Sequence, residues 1–162
     1  MIGQGSTFAI YLPADPSASA SRVERTTTSN PFLAHGEMVL VVDDEATVRK
    51  ISRSVLTALK FQVITALDGT EALMQVAEKR ADIRVVITDL HMPNMDGLTF
   101  VRVLRHMMPK VGIIVSSGRV DERDRLAFKE LGVTAILEKP FSREKLITAL
   151  QSVLQSQVTF SI

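Results

Sequence analysis

Met38-Val39-Leu40-Val41-Val42-Asp43-Asp44-Glu45 is an unbroken apolar run that ends on two adjacent aspartates. Such a run is β-branched and too short for a buried helix, the pattern of a strand covered on both faces. Val85-Val86-Ile87 and Ile113-Ile114-Val115 repeat it, Ala135–Glu138 is a shorter version, and Gln62–Ala66 is a weaker run expected to be the second strand. Between these runs the apolar residues recur at helical spacing. Val48, Ile51, Val55, Leu56 and Leu59 form one stripe, Leu73, Val76 and Ala77 a second, and Leu98, Val101 and Leu104 a third. Leu126, Ala127 and Leu131 form a shorter fourth stripe, and Leu146, Ile147, Leu150, Val153 and Leu154 a fifth, with Ser142 the expected cap. Strand and helix alternate throughout, so the expected fold is a doubly wound α/β parallel sheet with right-handed crossovers and helices on both faces.

The residues that follow the strands carry the chemistry. Asp43 and Asp44 follow Met38–Val42, Asp89 follows residues 85–88, Ser117 follows 112–116 and Lys139 follows Ala135–Glu138. In a sheet of this kind the carboxyl ends of the strands line one edge, where ligands bind. Three carboxylates, a hydroxyl and an ammonium on that edge suit magnesium and phosphoryl chemistry, because a small hard cation takes oxygen ligands and a transferring phosphoryl group needs positive charge around it. Each residue also has a plainer reading. An Asp-Asp pair before a helix can be a cap, Asp89 and the 93–97 segment a turn, Ser117-Gly118 a loop, and Lys139 a solvated charge. The conjunction favours a site, since independent loop residues would otherwise have to imitate one by accident.

Composition narrows the class. The chain has 162 residues, 46% hydrophobic and 23% charged, enough for one good core. A net charge of +1 argues for neither nucleic acid nor membrane contact. No cysteine occurs, which excludes disulfides and thiolate metal sites. With only His35, His91 and His106, and no imidazole pair at ligand spacing, a transition-metal centre is not expected. The methionines Met92, Met95, Met107 and Met108 read as packing, and Arg119, Arg123, Arg125 and Lys129 as a solvated face interleaved with Asp121, Glu122, Asp124 and Glu130. No run is long enough to span a bilayer and no signal peptide is read, so a cytoplasmic location is expected.

The first residues differ in character. Residues 14–36 are rich in Ser, Thr, Ala and Pro and read as a flexible linker. Ahead of them, residues 1–13 contain Gly3-Gln4-Gly5 and then Phe8, Ile10 and Leu12 on one face of a strand-like stretch. A phosphate loop is not supported, because no Gly-Lys-Ser/Thr follows the glycines.

Four ordered segments resemble the receiver domain of two-component response regulators: Val41-Val42-Asp43-Asp44-Glu45, Thr88-Asp89-Leu90-His91-Met92-Pro93-Asn94-Met95-Asp96-Gly97, Ser117-Gly118 and Lys139-Pro140-Phe141. The resemblance covers residues 37–157, with 158–162 left as a tail. It implies a flavodoxin-like fold with strand order 2-1-3-4-5 and five helices. It also implies that Asp89 accepts a phosphoryl group from phosphohistidine, the chain catalysing its own aspartyl phosphorylation and dephosphorylation. Asp44 and Asp89 would bind Mg2+ directly, Asp43 through water, and His91 by its carbonyl, while Lys139 and Ser117 would contact phosphoryl oxygens. The opening Gly-x-Gly-Ser-Thr-Phe segment resembles the closing hairpin of histidine-kinase ATP-binding domains. The chain as a whole therefore resembles the C-terminal receiver of a hybrid histidine kinase.

The partners implied are a histidine kinase donor and a histidine phosphotransfer protein. Relay, phosphate sink and brake on the parent kinase all remain open outputs, and no DNA-binding domain is expected to follow. The 1–13 strand is left to disorder, to fold back, or to pair with a second copy in a homodimer. A haloacid-dehalogenase-type phosphohydrolase would need a second Asp where His91 stands, and a pseudo-receiver serving only as a binding surface would lack one of the five residues. One departure from the receiver pattern is Ile136, where an aromatic switch residue is usual. The Lys139–Pro140 bond is expected to be cis.

Overall fold

The computed structural model describes residues 33–158. The chain alternates β1 (Met38–Val42), α1 (Ala46–Ala58), β2 (Gln62–Ala66), α2 (Gly69–Lys79), β3 (Ile83–Asp89), α3 (Gly97–Met107), β4 (Gly112–Ser117), α4 (Glu122–Glu130), β5 (Ala135–Glu138) and α5 (Arg143–Val158). The strands form one parallel sheet in the order β2-β1-β3-β4-β5, the expected 2-1-3-4-5.

Strand alternation divides the core in two. Leu40, Val42, Val86, Ile113 and Val115 face one side and pack with Val76, Phe100, Val101, Leu104 and Phe128 of α2, α3 and α4. Val39, Val41, Val85, Ile87 and Ile114 face the other and pack with Leu56, Leu146, Leu150 and Val153 of α1 and α5. Because both faces are covered, the central strands lack the polar alternation of a half-exposed sheet.

Two helical stripes are narrower than their spacing suggests. Ile51 is 60% exposed and Leu126 57%, so α1 is anchored by Leu56 and α4 by Phe128, a residue outside the expected stripe. A nine-residue α4 presents about one anchoring position to the sheet, and the large ring takes it. Ala72 rather than Ala77 shares the buried face of α2 with Val76. Ser142 does accept from the Lys145 N–H at 3.3 Å at the start of α5.

The 1–13 strand and most of the 14–36 linker lie outside the described residues. At its far end Ala34 is buried and its N–H donates to the Leu59 carbonyl at 2.8 Å, so packing begins a few residues before Glu37. No helix among the described residues is long and apolar enough to cross a membrane.

Candidate functional site

Register brings the strand ends together. Val42 pairs with Thr88, Asp89 with Ser116, and Ser117 with Glu138, so the next residues along β1, β3 and β5 emerge side by side. β3 and β4 each run one residue past the apolar run, making Asp89 and Ser117 the last residues of their strands. The Lys139 N–H donates to the Ser117 carbonyl at 2.8 Å, and Leu90 N–H to the Ser116 carbonyl at 3.2 Å, which carries the ladder beyond the site.

Lys139 is the bridge. Its Nζ donates to Asp43 Oδ2 at 2.7 Å and lies 3.1 Å from Asp89 Oδ1. Asp44 is exposed at the mouth, and one carboxylate oxygen each from Asp43, Asp44 and Asp89 fall within 4.8 Å of one another. Desolvation pushes the Asp89 carboxyl above the ordinary carboxylate range, with Asp43 adding to the rise and Lys139 opposing it. Burial pulls the Lys139 ammonium down, but its bonds to Asp43 and then Asp89 outweigh that and hold it above its ordinary value. Three carboxylates around one ammonium leave excess negative charge that a divalent cation would match. The donor set is all oxygen, split between two neighbouring loops, which fits a small hard ion and not a soft one.

The Asp-Asp pair does not cap α1. Its N-cap is Glu45, without a side-chain cap bond, and Asp43 Oδ1 instead accepts from the Glu45 N–H at 2.9 Å. Asp43 is thus held by the Glu45 N–H and Lys139, and Asp44 stands exposed beside it. Ser117 is fully buried, and its hydroxyl turns into its own loop, donating to the Arg119 carbonyl at 2.7 Å and accepting from the Arg119 N–H at 3.2 Å. His91 is exposed, with Nδ1 3.5 Å from Ser117 Oγ. Ile136 is half-buried against the α3–α4 side of the core, and the Lys139–Pro140 bond is cis as expected.

Sequence reasoning missed the parts that hold the β3–α3 loop. Asp68 caps α2, accepting from the Glu71 N–H at 2.9 Å, and its other oxygen accepts from Asn94 Nδ2 at 2.7 Å. Those bonds, Asn94 first, hold the Asp68 carboxyl below the ordinary range. Asp68-Gly-Thr-Glu71 has capping-box spacing, a signal that could have located the cap though not its partner. At the other end of the loop, the Gly97 N–H donates to the Leu90 carbonyl at 2.9 Å, and a Cβ on Gly97 would stand 2.1 Å from the Asp89 carbonyl oxygen.

The response regulator receiver domain matches residues 39–151, and the chain belongs to that family: it is a receiver domain of two-component signalling. It is 31% identical to the sensor kinase CckA of Brucella abortus over 96% of its own length, and spans 17% of that relative. Among solved structures, the chemotaxis protein CheY4 of Vibrio cholerae is 32% identical with a TM-score of 0.68, over 73% of this chain and 98% of that one. The CheX-CheY-BeF3-Mg+2 complex of Borrelia burgdorferi matches at 29% identity and a TM-score of 0.69, over 72% of this chain and 88% of that one.

Proposed function

We propose that this receiver accepts a phosphoryl group onto Asp89 from a phosphohistidine donor, in a reaction that depends on Mg2+. The observation that carries the reading is the Lys139 ammonium bridging Asp43 and Asp89, with Asp44 closing the carboxylate cluster. An oxygen of Asp89 attacks phosphorus, the P–N bond to the donor imidazole breaks, and the imidazole leaves with a proton taken from water. The product is an acyl phosphate on Asp89. Charge on the three transferring oxygens must be matched as it spreads, and positioned cations do most of that work. Lys139 supplies one cation from this chain. Mg2+, when bound by Asp44 and Asp89 with Asp43 holding one of its waters and the His91 carbonyl adding an oxygen, would supply the other. Ser117 would donate to a phosphoryl oxygen after turning away from the Arg119 carbonyl. The magnesium of the Borrelia CheX-CheY-BeF3-Mg+2 complex is consistent with this assignment.

We further infer that the chain comes from the C-terminal end of a hybrid histidine kinase and acts in the cytoplasm. The likeness to CckA supports this, because at 96% of the chain it reaches beyond the 39–151 receiver window. The output is relay to a histidine phosphotransfer protein, a phosphate sink or a brake on the parent kinase, and phosphotransfer profiling against candidate histidine proteins is the measurement that narrows these. Incubation with acetyl phosphate and magnesium should add one phosphate to the intact mass, and Asp89→Asn should abolish it. An unchanged mass in the parent, or full labelling of the variant, rejects the proposal.

A further inference from the structure

Arg49 stands in the first turn of α1, where the helix macrodipole disfavours a cation, and the acidic residues near it, Asp43, Asp44 and Glu45, all precede the helix. Its Nη1 donates to the main-chain carbonyl of Asp43 at 2.6 Å. That bond completes the engagement of Asp43, whose Oδ1 is held by the Glu45 N–H and Oδ2 by Lys139. The carbonyl belongs to the peptide that joins Asp43 to Asp44. Holding it sets the plane of that peptide, and so the direction in which the Asp44 side chain leaves the backbone. The Glu45 N–H bond to Asp43 Oδ1 closes the turn around Asp44 from the other side, and among the described residues the Asp44 carboxylate itself has no hydrogen-bond or ion-pair partner.

We propose that Arg49 is a positioning residue for the cation-binding edge, fixing the Asp43–Asp44 peptide so that the Asp44 carboxylate faces the oxygens of Asp43 and Asp89. The inference rests on the magnesium reading of the site given above. A guanidinium near this edge has two opposed effects on a divalent cation. Its charge repels the ion, and its hydrogen bond organises the ligands. The charge is half-exposed and screened by water, whereas loss of a group that orients a ligand costs about 10–100-fold in metal affinity or activity. Organisation therefore outweighs repulsion. The two effects differ in sign, so one measurement separates them.

Magnesium chloride is titrated calorimetrically into the full chain as wild type, Arg49→Met, Arg49→Lys and Asp44→Ala. Methionine keeps an apolar stem while removing the donor and the charge; lysine keeps both with a single reach to the carbonyl. The expected result is binding about 10-fold or more weaker in Arg49→Met, with much of the loss recovered in Arg49→Lys. At saturating magnesium the rate of labelling by acetyl phosphate should return close to the parent value, because Arg49 acts on the cation's ligands and not on phosphorus. Equal or tighter binding in Arg49→Met, or no recovery by lysine, overturns the proposal. If Arg49→Met loses its cooperative melt, Arg49→Ala is read by the same criterion. An absence of magnesium binding in the wild type would instead reject the metal reading, and Asp44→Ala marks the response of a damaged site.

Discussion

Asp89 is placed where burial disfavours its ionised form. Its carboxyl sits above the ordinary range, so in the cation-free protein the folded state binds a proton more tightly than the unfolded state does. Stability contributed by that proton is fully present below the unfolded value near pH 3.9 and is lost as pH rises through the folded one. Near neutral pH the ionised carboxylate is then a net cost, and Asp89→Asn should raise the melting temperature in EDTA, with the gain shrinking toward about pH 4. Differential scanning calorimetry across pH 4–8 checks this, and a lower melting point for the variant at neutral pH contradicts it. Magnesium should reverse the order. As a ligand of the native state it stabilises by mass action, by about 2.7 kcal/mol at 100 times its dissociation constant. The wild type should show that rise and Asp44→Ala should not. An equal rise in both would place the ion elsewhere.

At the scale of elements, the site depends on a loop that two helices hold in place. The cap of α2 reaches across to Asn94, and α3 begins at Gly97, pressed against the Asp89 carbonyl. Asp68→Ala removes both the α2 cap and the tie to the loop, at an expected cost of about 0.5–2 kcal/mol. The Asp68 carboxyl is held low, so its contribution is present above the unfolded value and fades as pH falls through the folded one. Urea unfolding should therefore show the variant trailing the wild type at pH 7 and converging with it in acid. A gap that persists unchanged below pH 3 would assign the loss to packing. By contrast the Arg125–Glu138 pair between α4 and β5 is exposed at both ends and should contribute little, as surface pairs do.

At the scale of the whole molecule, the described fold supplies every group that the proposed chemistry uses, and packing begins near Ala34. Deletion of residues 2–32 should accordingly leave labelling of Asp89 and the magnesium response unchanged. Loss of either, measured by intact mass and by thermal shift, would make the N-terminal segment a working part of the domain. The two half-cores are a different matter. Phe100 and Phe128 are almost fully buried on one side of the sheet, and truncating either to Ala should cost about 3–5 kcal/mol, a large part of a small domain's total. Chemical denaturation measures that directly.

The architecture was legible because the sheet is covered on both faces. Strands of that kind read as short apolar runs, and four of the five, all but Gln62–Ala66, are closed or followed by one of the residues proposed for the site: Asp43, Asp89, Ser117 and Lys139. Helical stripes were less legible. Periodicity marks an apolar face without saying how much of it the sheet covers, and Ile51 and Leu126 stand exposed on faces that looked buried. Which groups touch is a property of the folded chain. The reach of Lys139 to both Asp43 and Asp89, the tie from Asp68 to Asn94 and the bond from Arg49 to the Asp43 carbonyl are set by side-chain direction and strand register. Local sequence specifies elements through propensity and period; distances between residues far apart in the chain come from how those elements pack.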